Sequence, residues 1–190
     1  RWCLGMARTR RHTFRNLVGH VQGVSDMGSL AAWTNEQFDP RLSWADVDWV
    51  RERWGRKFIL KGIMEVEDAK LAVQHGADAI VVSNHGGRQL DGAPSSIHAL
   101  PAIVDAVGDK LEVWMDGGIR SGQDVLKAWA LGARGTMIGR AMVYGVGAMG
   151  EAGVTKALQI IHKELDITMA FCGHTQLRNV DRGVLLPGTY

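Results

Sequence analysis

Chemically active side chains follow an apolar run at residues 83–92, whose sequence is SNHGGRQLDG. His85 stands three residues before Arg88, and the two glycines between them allow the backbone to turn sharply. A neutral imidazole is a competent proton acceptor near neutral pH, and a guanidinium can hold a carboxylate through two parallel hydrogen bonds. One glycine or asparagine would be enough to end a strand. The pattern therefore predicts a catalytic base beside a carboxylate anchor, with a structural histidine in a turn as the alternative.

A lysine closes another apolar run, FILK, at residues 58–61. If this run is a buried strand, the ammonium of Lys61 lies at the strand end, where it could stabilise an anionic cofactor ring or form a Schiff base. The alternative is a surface lysine whose apolar stem lies along the protein while its charge reaches water. Next to the base and the anchor, we interpret Lys61 as a cation that faces a ligand.

Glycines and arginines recur in DGGIRSGQDVLKAWALGARGTMIGR, residues 116–140. Gly117 and Gly118 allow backbone N–H groups to approach an anion, and Arg120 and Arg140 add fixed charge suited to phosphate. The pattern predicts a phosphate site, although two ordinary glycine turns with surface arginines would look similar. By itself it does not distinguish a flavin phosphate from a nucleotide or sugar phosphate.

The elements that must position these residues follow a strand–helix rhythm. Four apolar runs are predicted as strands, at residues 57–63, 78–84, 111–118 and 135–140. Helices are predicted over 42–55, 65–77, 121–133 and 150–173, and helical structure in part of 95–108, because Pro101 is tolerated only near a first turn. Ser121 is the expected N-cap of its helix, whose N-terminus favours negative charge. Gly76 and Gly132 are expected to end the helices over 65–77 and 121–133. Residues 21–40 are predicted to be a loop.

The strands are nearly continuous apolar runs, which is typical of a parallel sheet covered by helices. Each run ends in polar or glycine-rich residues, and a (β/α)₈ barrel carries its chemistry at those carboxyl ends. Four units make half of such a barrel, which usually needs about 250 residues. We therefore predict an α/β fold of the TIM-barrel class, of which this 190-residue chain supplies the C-terminal half, strands 5 to 8.

Taken together, the motifs resemble the FMN-dependent L-2-hydroxy acid dehydrogenase and oxidase family, which includes bacterial L-lactate dehydrogenases. SNHGGRQLDG is highly specific for this family, whereas the stretch 116–140 also resembles other phosphate-binding barrels such as the inosine monophosphate dehydrogenase type. FDPRLSWADVDWVRERWGRKFILKG at 38–62 and ITMAFCG at 167–173 fit as well, so the resemblance covers nearly all of residues 14–175.

The resemblance implies FMN as the cofactor and a role for each matching residue. Lys61 would contact flavin N1 and O2 and stabilise the reduced ring, His85 would be the base that starts substrate oxidation, and Arg88 would bind the substrate carboxylate. The other cofactor contacts would be Ser83 at the flavin edge, Asp116 on the ribityl chain, and Gly117, Gly118, Arg120, Gly139 and Arg140 around the phosphate. No metal is expected.

The implied reaction is oxidation of an L-2-hydroxy acid, with L-lactate as the first candidate, to the 2-oxo acid. Electrons would pass to a quinone or another acceptor. The alternatives are a soluble oxidase that uses O₂, a different phosphate-binding barrel, or an inactive half-barrel fragment. Whether the base removes a proton during hydride transfer or forms a carbanion stays open.

Neither Tyr144 nor Tyr190 matches the tyrosines of the family's first half, so we expect the chain to need the missing N-terminal half and to be inactive alone. The resemblance also implies a homotetramer, the usual oligomeric state in this family.

A basic arm, residues 1–40, is the first of two predicted domains, and residues 41–190 form the half barrel. Residues 1–20 carry five arginines and no acidic residue, together with Trp2, Leu4, Met6 and Phe14. This composition is typical of membrane-surface segments, and in mandelate dehydrogenase the membrane-binding segment corresponds to this region. A solvated loop or an arm packed on another chain would have a similar composition.

The bulk composition limits where the protein acts. With no signal peptide and no apolar run near the roughly 18 residues of a membrane span, we expect a cytoplasmic protein in peripheral contact with the inner face of the cell membrane. Cys3 and Cys172 are interpreted as reduced thiols. No nucleic-acid partner is expected.

Overall fold

The computed structural model describes residues 2–9, 17, 20, 21, 23, 24 and 27–190. The chain divides into two compact units, Arg1–Asp46 and Val47–Tyr190. Helices α1 (Trp2–Thr9) and α2 (Met27–Gln37) belong to the first unit, and α3 (Trp44–Trp54) begins there. The prediction of a loop over 21–40 is wrong for α2, whose Leu-Ala-Ala centre is built from strong helix formers.

The second unit contains a parallel four-stranded sheet with the order β1-β2-β3-β4. The strands are β1 (Ile59–Ile63), β2 (Ala79–Val82), β3 (Glu112–Asp116) and β4 (Gly135–Met137). The helices that accompany them are α4 (Val66–Gln74), α5 (Ser96–Val107), α6 (Gly122–Ala130), α7 (Arg140–Met149) and α8 (Glu151–Phe171). The predicted α/β fold with a parallel sheet is confirmed.

The two faces of the sheet differ in burial. Val113 and Met115 of β3 are buried, and they belong to the face that α5 contacts. The strand register aligns Lys61 with Trp114 of β3, and Asp116 lies two residues further along the same face. Because side chains alternate along a strand, Lys61 and Asp116 project from the uncovered face, which is the interior side of a barrel.

Local sequence signals set the ends of several helices. Ser121 caps α6 in a reciprocal arrangement with Asp124, in which the Ser121 hydroxyl accepts from the Asp124 N–H and the Asp124 carboxylate accepts from the Ser121 N–H. Gly76 and Gly132 follow α4 and α6 with φ angles of 73° and 103°, a left-handed conformation that favours glycine. These caps confirm the N-cap and the glycine stops predicted for these helices.

Two elements differ from the sequence predictions. Helix α5 runs unbroken through Pro101, so the prediction of a partial helix is wrong; burial of Leu100, Ile103 and Val107 offsets the hydrogen bond that proline removes. The fourth strand ends at Met137 rather than at residue 140, and α7 follows it almost at once. Two glycines lower the intrinsic helix propensity of α7, which is why the pattern gave no sign of it.

Helices α7 and α8 form a hairpin whose backbones touch. Gly145 of α7 faces Gly153 of α8, and a Cβ atom placed on Gly153 would overlap the carbonyl oxygen of Gly145. This close approach replaces the side-chain interdigitation of an ordinary helix pair. It explains how a helix with poor intrinsic propensity is held in place.

A charged cluster joins the start of the sheet to α3. The Asp78 carboxylate accepts hydrogen bonds from Lys57 Nζ (2.7 Å) and the Phe58 N–H (2.8 Å), and Arg51 Nη1 lies 3.3 Å away. The hydrogen bond from Lys57, followed by that from the Phe58 amide, holds the pKa of Asp78 below its ordinary value of 3.8. The ionised form is therefore preferred in the folded chain.

Replacement of Asp78 by asparagine is expected to lower the free energy of unfolding at neutral pH. A depressed carboxyl pKa contributes stability that is present above the unfolded-state pKa and is lost as the pH falls through the folded-state pKa. The stability difference between wild type and Asp78→Asn should thus be constant at neutral pH and shrink below about pH 4. Urea unfolding at a series of pH values measures it, with Asp109→Asn, in an exposed turn, as the control. A stability difference between wild type and Asp78→Asn that does not change with pH would show that the ionised Asp78 carboxylate does not stabilise the fold.

Among the described residues, no helix combines the length and apolar character needed to cross a membrane. The same part of the chain contains no group of three or more His, Cys, Asp or Glu side chains able to hold a metal ion.

Candidate active site

A cleft of about 640 Å³ opens at the carboxyl ends of the strands. Every site residue predicted from the sequence lines it except Ser83, which is buried. The lining residues are Lys61, His85, Gly86, Arg88, Asp116, Gly117, Gly118, Ile119, Arg120, Met137, Ile138, Gly139, Arg140 and Val143. The sheet therefore brings together predicted site residues, Lys61 and Arg140, that are 79 positions apart in the chain.

Lys61 is the centre of a polar cluster in this cleft. Its Nζ atom lies 2.9 Å from Asp116 Oδ2 and donates to Ser83 Oγ at 2.8 Å. The other carboxylate oxygen, Asp116 Oδ1, is buried and has no hydrogen-bond partner among the described residues. An unmet buried acceptor is costly, so this oxygen is suited to a ligand that brings a donor.

Ser83 connects the cluster to the loop that carries His85. Its hydroxyl oxygen accepts from Lys61 and also from the His85 N–H at 3.1 Å. His85 has a φ of 58°, and among the described residues it is the only non-glycine residue with a positive φ. Gly86 and Gly87 continue the left-handed turn with φ angles of 72° and 70°. Such strained backbone is held by its surroundings and is frequent at functional sites.

The imidazole of His85 lies against a glycine that the sequence analysis did not identify. The register of β1 shifts between Lys61 and Ile63, and Gly62 in this bulge has a φ of 101°. A Cβ atom on Gly62 would lie 3.4 Å from His85 Cε1. A glycine inside an otherwise apolar strand signals a bulge or a close approach, and that signal could have revealed Gly62.

Three arginines give the cleft its charge. Arg88, Arg120 and Arg140 line it, and none forms an ion pair with a described carboxylate. Lys61 is balanced by Asp116, so the arginines leave an excess of positive charge. Arg140 Nη2 lies 3.7 Å from the position of a Cβ atom on Gly86, so this guanidinium reaches the loop after β2.

The amides at the start of α6 are already paired, in contrast to the expectation that this helix end is open to an anion. The N–H groups of Arg120 and Ser121 donate to Asp124 Oδ2, each at 2.9 Å, and the Gly122 N–H donates to Glu164 Oε2 at 3.0 Å. The amides of these three residues, which lead into α6, are thus satisfied by carboxylates of the chain itself. Helix α7 instead begins at the cleft, and its N-cap Gly139 provides no side-chain cap.

Two consecutive glycines shape the loop between β3 and α6. Gly117 and Gly118 have φ angles of 92° and 79°, a left-handed conformation that other residues rarely adopt. A Cβ atom on Gly118 would meet nothing within 4 Å, so its backbone is open to the cleft. A Cβ atom on Gly117 would lie 2.8 Å from the buried hydroxyl oxygen of Ser96.

Four parallel strands, with His85, a lysine–aspartate pair and glycine-rich turns at their carboxyl ends, form the half of a (β/α)₈ barrel that carries the cleft. The model of the FMN-dependent dehydrogenase family matches residues 2–187, and the chain belongs to that family. The predicted family membership and the half-barrel architecture are both confirmed. The chain spans about half the length of the curated relatives it matches.

Similar proteins include two bacterial L-lactate dehydrogenases. The protein of Caulobacter sp. (strain K31) is 47% identical over 184 residues, which are 97% of this chain and 48% of that protein. The protein of Actinobacillus pleuropneumoniae serotype 5b (strain L20) is 44% identical over 185 residues, with shares of 97% and 48%.

Solved structures that contain a region similar to this chain include (S)-mandelate dehydrogenase and mandelate oxidase. The monotopic membrane protein (S)-mandelate dehydrogenase has a TM-score of 0.80 and 36% identity, and the match covers 86% of this chain and 43% of that one. Mandelate oxidase with (S)-4-hydroxymandelic acid has a TM-score of 0.77 and 45% identity, with coverage of 85% and 44%.

Proposed function

We propose that this chain is the FMN-binding, C-terminal half of an L-2-hydroxy acid dehydrogenase that oxidises L-lactate to the 2-oxo acid. The observation that carries the proposal is the composition of one cleft. His85 lies there on a strained turn, beside a lysine–aspartate pair and three arginines without ion-pair partners. The L-lactate dehydrogenases among the similar proteins support the substrate.

The residues of the cleft fit FMN. The unpartnered Asp116 Oδ1 suits a hydroxyl donor such as those of a ribityl chain. The open backbone at Gly118, the guanidiniums of Arg120 and Arg140, and the start of α7 at Gly139 suit a phosphate dianion. FMN would supply the acceptor for the two electrons that leave the substrate.

Lys61 and the buried Ser83 would contact the flavin ring. Lys61 brings a positive charge to the cleft, and it favours negative charge on a ring placed beside it. The Ser83 oxygen accepts two hydrogen bonds, and its hydroxyl proton has no acceptor among the described residues, so it would donate to a flavin placed beside Lys61. Asp116 holds Lys61 in place through their ion pair.

The remaining two side chains would act on the substrate. Arg88 holds the carboxylate of the 2-hydroxy acid through a two-pronged contact. His85 then accepts a proton from the anchored substrate on an imidazole nitrogen. Fixing the carboxylate beside the base restricts the substrate to one orientation, which is the basis for the expected L-stereospecificity.

The charges of the ligands match those of the cleft. A phosphate monoester carries close to two negative charges at neutral pH, and a 2-hydroxy acid carries one. Three arginines without ion-pair partners among the described residues face them, whereas Lys61 and Asp116 neutralise each other. A neutral substrate would leave Arg88 uncompensated, and this supports an acid.

A second candidate function is that of a 2-hydroxy acid oxidase. The 45% identity to mandelate oxidase is close to the 47% identity to an L-lactate dehydrogenase. An oxidase would return its electrons to O₂, and a dehydrogenase would need a quinone or another acceptor. The two candidates share every residue role proposed above, so only the acceptor and the substrate separate them.

Catalysis would need four further strands. The edge strands β1 and β4 each have one neighbour in the sheet, and their interior-facing residues Ile59 and Met137 are 46% and 39% exposed. We propose that a complementary half barrel pairs with both edges and covers this face. The homotetramer and the quinone acceptor stay predictions.

Anaerobic mixing with substrate tests the function. We would co-produce the chain with the amino-terminal half of the Caulobacter sp. (strain K31) L-lactate dehydrogenase, an assembly here named the complemented barrel. L-lactate is expected to bleach its flavin absorbance, and D-lactate is not. Reoxidation by a quinone analogue but not by air supports the dehydrogenase; rapid reoxidation by air supports the oxidase. A colourless complemented barrel would refute the proposed cofactor, and bleaching by the chain alone would refute the need for a second half.

The first 40 residues are proposed to contact an anionic membrane surface. Helix α1 contains exposed Leu4 and, in its last turn, Arg8, while the other four arginines lie outside the described residues. The similarity to a monotopic membrane protein supports the idea. Sedimentation with anionic vesicles is expected, and it should fall in salt and on replacement by serine of Arg1, Arg8, Arg10, Arg11 and Arg15. Equal sedimentation of wild type and variant would contradict it.

A further inference from the structure

We propose that Glu164 is a positioning residue for phosphate recognition and acts through the backbone of Gly122. The loop concerned, residues 117–121, is named the anion loop. The inference rests on the proposed function, because it takes the bound anion to be the phosphate of FMN. Glu164 lies on α8, outside the cleft and 42 positions from Gly122.

At Gly122, the contact between α6 and α8 is made by backbone atoms and one carboxylate. The Gly122 N–H, the first amide after the anion loop, donates to Glu164 Oε2 at 3.0 Å. Gly122 is buried, and a Cβ atom on it would overlap the backbone nitrogen of Leu165. The end of the loop is therefore held directly on the middle of α8, where no other side chain fits between the two helices.

This link is separate from the cap of α6. Asp124 already accepts from the N–H groups of Arg120 and Ser121, so the local cap is complete without Glu164. Asp124 belongs to α6 and moves with it, whereas Glu164 ties the loop to a different helix. At its other end the loop follows Asp116, which Lys61 holds by their ion pair. The anion loop is thus fixed at both ends, and Glu164 supplies the fixed point on α8.

The charge and the hydrogen bond of Glu164 have opposite effects on an anion. A carboxylate behind the loop repels a phosphate, so loss of the charge alone favours binding. Loss of the acceptor leaves a buried N–H unpaired and releases the end of the loop, which weakens binding. Glu164→Gln retains an acceptor oxygen without the charge, and Glu164→Ala removes both. The two substitutions therefore distinguish the effect of holding the anion loop in place from the effect of the negative charge on Glu164.

The test compares flavins with and without phosphate. Dissociation constants of FMN and riboflavin for the complemented barrel are measured by flavin fluorescence. Glu164→Ala is expected to weaken FMN binding about tenfold, which corresponds to ~1.4 kcal/mol, and to leave riboflavin binding unchanged. Glu164→Gln should keep or raise the wild-type preference for FMN over riboflavin, because it retains the acceptor and removes only the repelling charge. The control Leu126→Ala removes core packing contributed by α6 and should lower thermal stability without changing that preference.

The outcomes distinguish this inference from the proposed function. A wild-type complemented barrel that binds no FMN would refute the proposed function. If the wild type binds FMN but Glu164→Ala retains its preference over riboflavin, the positioning role is wrong. The role is also wrong if Leu126→Ala reduces the preference for FMN as much as Glu164→Ala does, since general loosening of α6 would then explain the effect. It is likewise wrong if Glu164→Gln reduces the preference as much as Glu164→Ala does.

Discussion

Replacement of His85 by glutamine is expected to lower kcat of the complemented barrel with L-lactate by about 10²–10⁴-fold, the usual contribution of a positioned acid–base group. Glutamine has a similar reach and can still form hydrogen bonds, but it cannot accept a proton from the substrate. Steady-state kinetics with an artificial electron acceptor measure the effect. KM should change far less than kcat, because Arg88 still holds the carboxylate.

The control is His98→Gln, which changes a histidine of α5 that does not line the cleft. It should leave kcat at the wild-type value. Binding of FMN should also persist in His85→Gln, since the proposed phosphate contacts are made by other residues. A kcat of His85→Gln equal to that of wild type would show that the proton goes elsewhere, and the proposed mechanism would be wrong.

Substitution of Gly153 by alanine is expected to lower the free energy of unfolding of the chain by about 3 kcal/mol or more, the upper end of overpacking effects. The added methyl group would overlap the carbonyl oxygen of Gly145 on the facing helix. Both overlapping groups belong to or project from backbone, so no side-chain rotation relieves the clash. Helices α7 and α8 must separate, which urea unfolding monitored by circular dichroism would measure.

The matched control lies two residues from Gly145 on the same helix. A Cβ atom on Gly147 meets nothing within 4 Å. Gly147→Ala should therefore stabilise the chain by about 0.5–1 kcal/mol, because alanine has the higher helix propensity. Equal effects of the two substitutions would show that the helix crossing is looser than the structure indicates. Since α7 begins at the cleft, Gly153→Ala should also weaken FMN binding.

Local sequence signals determined most of the sheet and the helix ends around it. Apolar runs ending in polar residues identified all four strands, and capping chemistry identified the start of α6 at Ser121 and its end at Gly132. These features depend on residues within one turn or one strand. The residues of the candidate cleft could also be predicted from the sequence, because parallel strands place their carboxyl ends at one edge of the sheet.

Other features depend on contacts between distant parts of the chain. Helix α7 has two glycines and an apolar sequence that do not favour a helix in isolation, and its contact with Gly153 stabilises it. Helix α5 continues through Pro101 because its buried residues pack on the sheet. Intrinsic propensity is weak enough for tertiary packing to override it in both cases.

The sequence by itself determined the class of fold, the family resemblance and which residue types meet at the strand ends. Only the tertiary structure decided how those residues are held. It seated the His85 imidazole against Gly62, joined Lys61 to Ser83 and Asp116, and satisfied the first amides of α6 with Asp124 and Glu164. Spacing along a strand or helix reports which face a residue occupies. It does not report which of many distant groups lies within 3 Å of a given atom, because that distance is set by how whole elements pack.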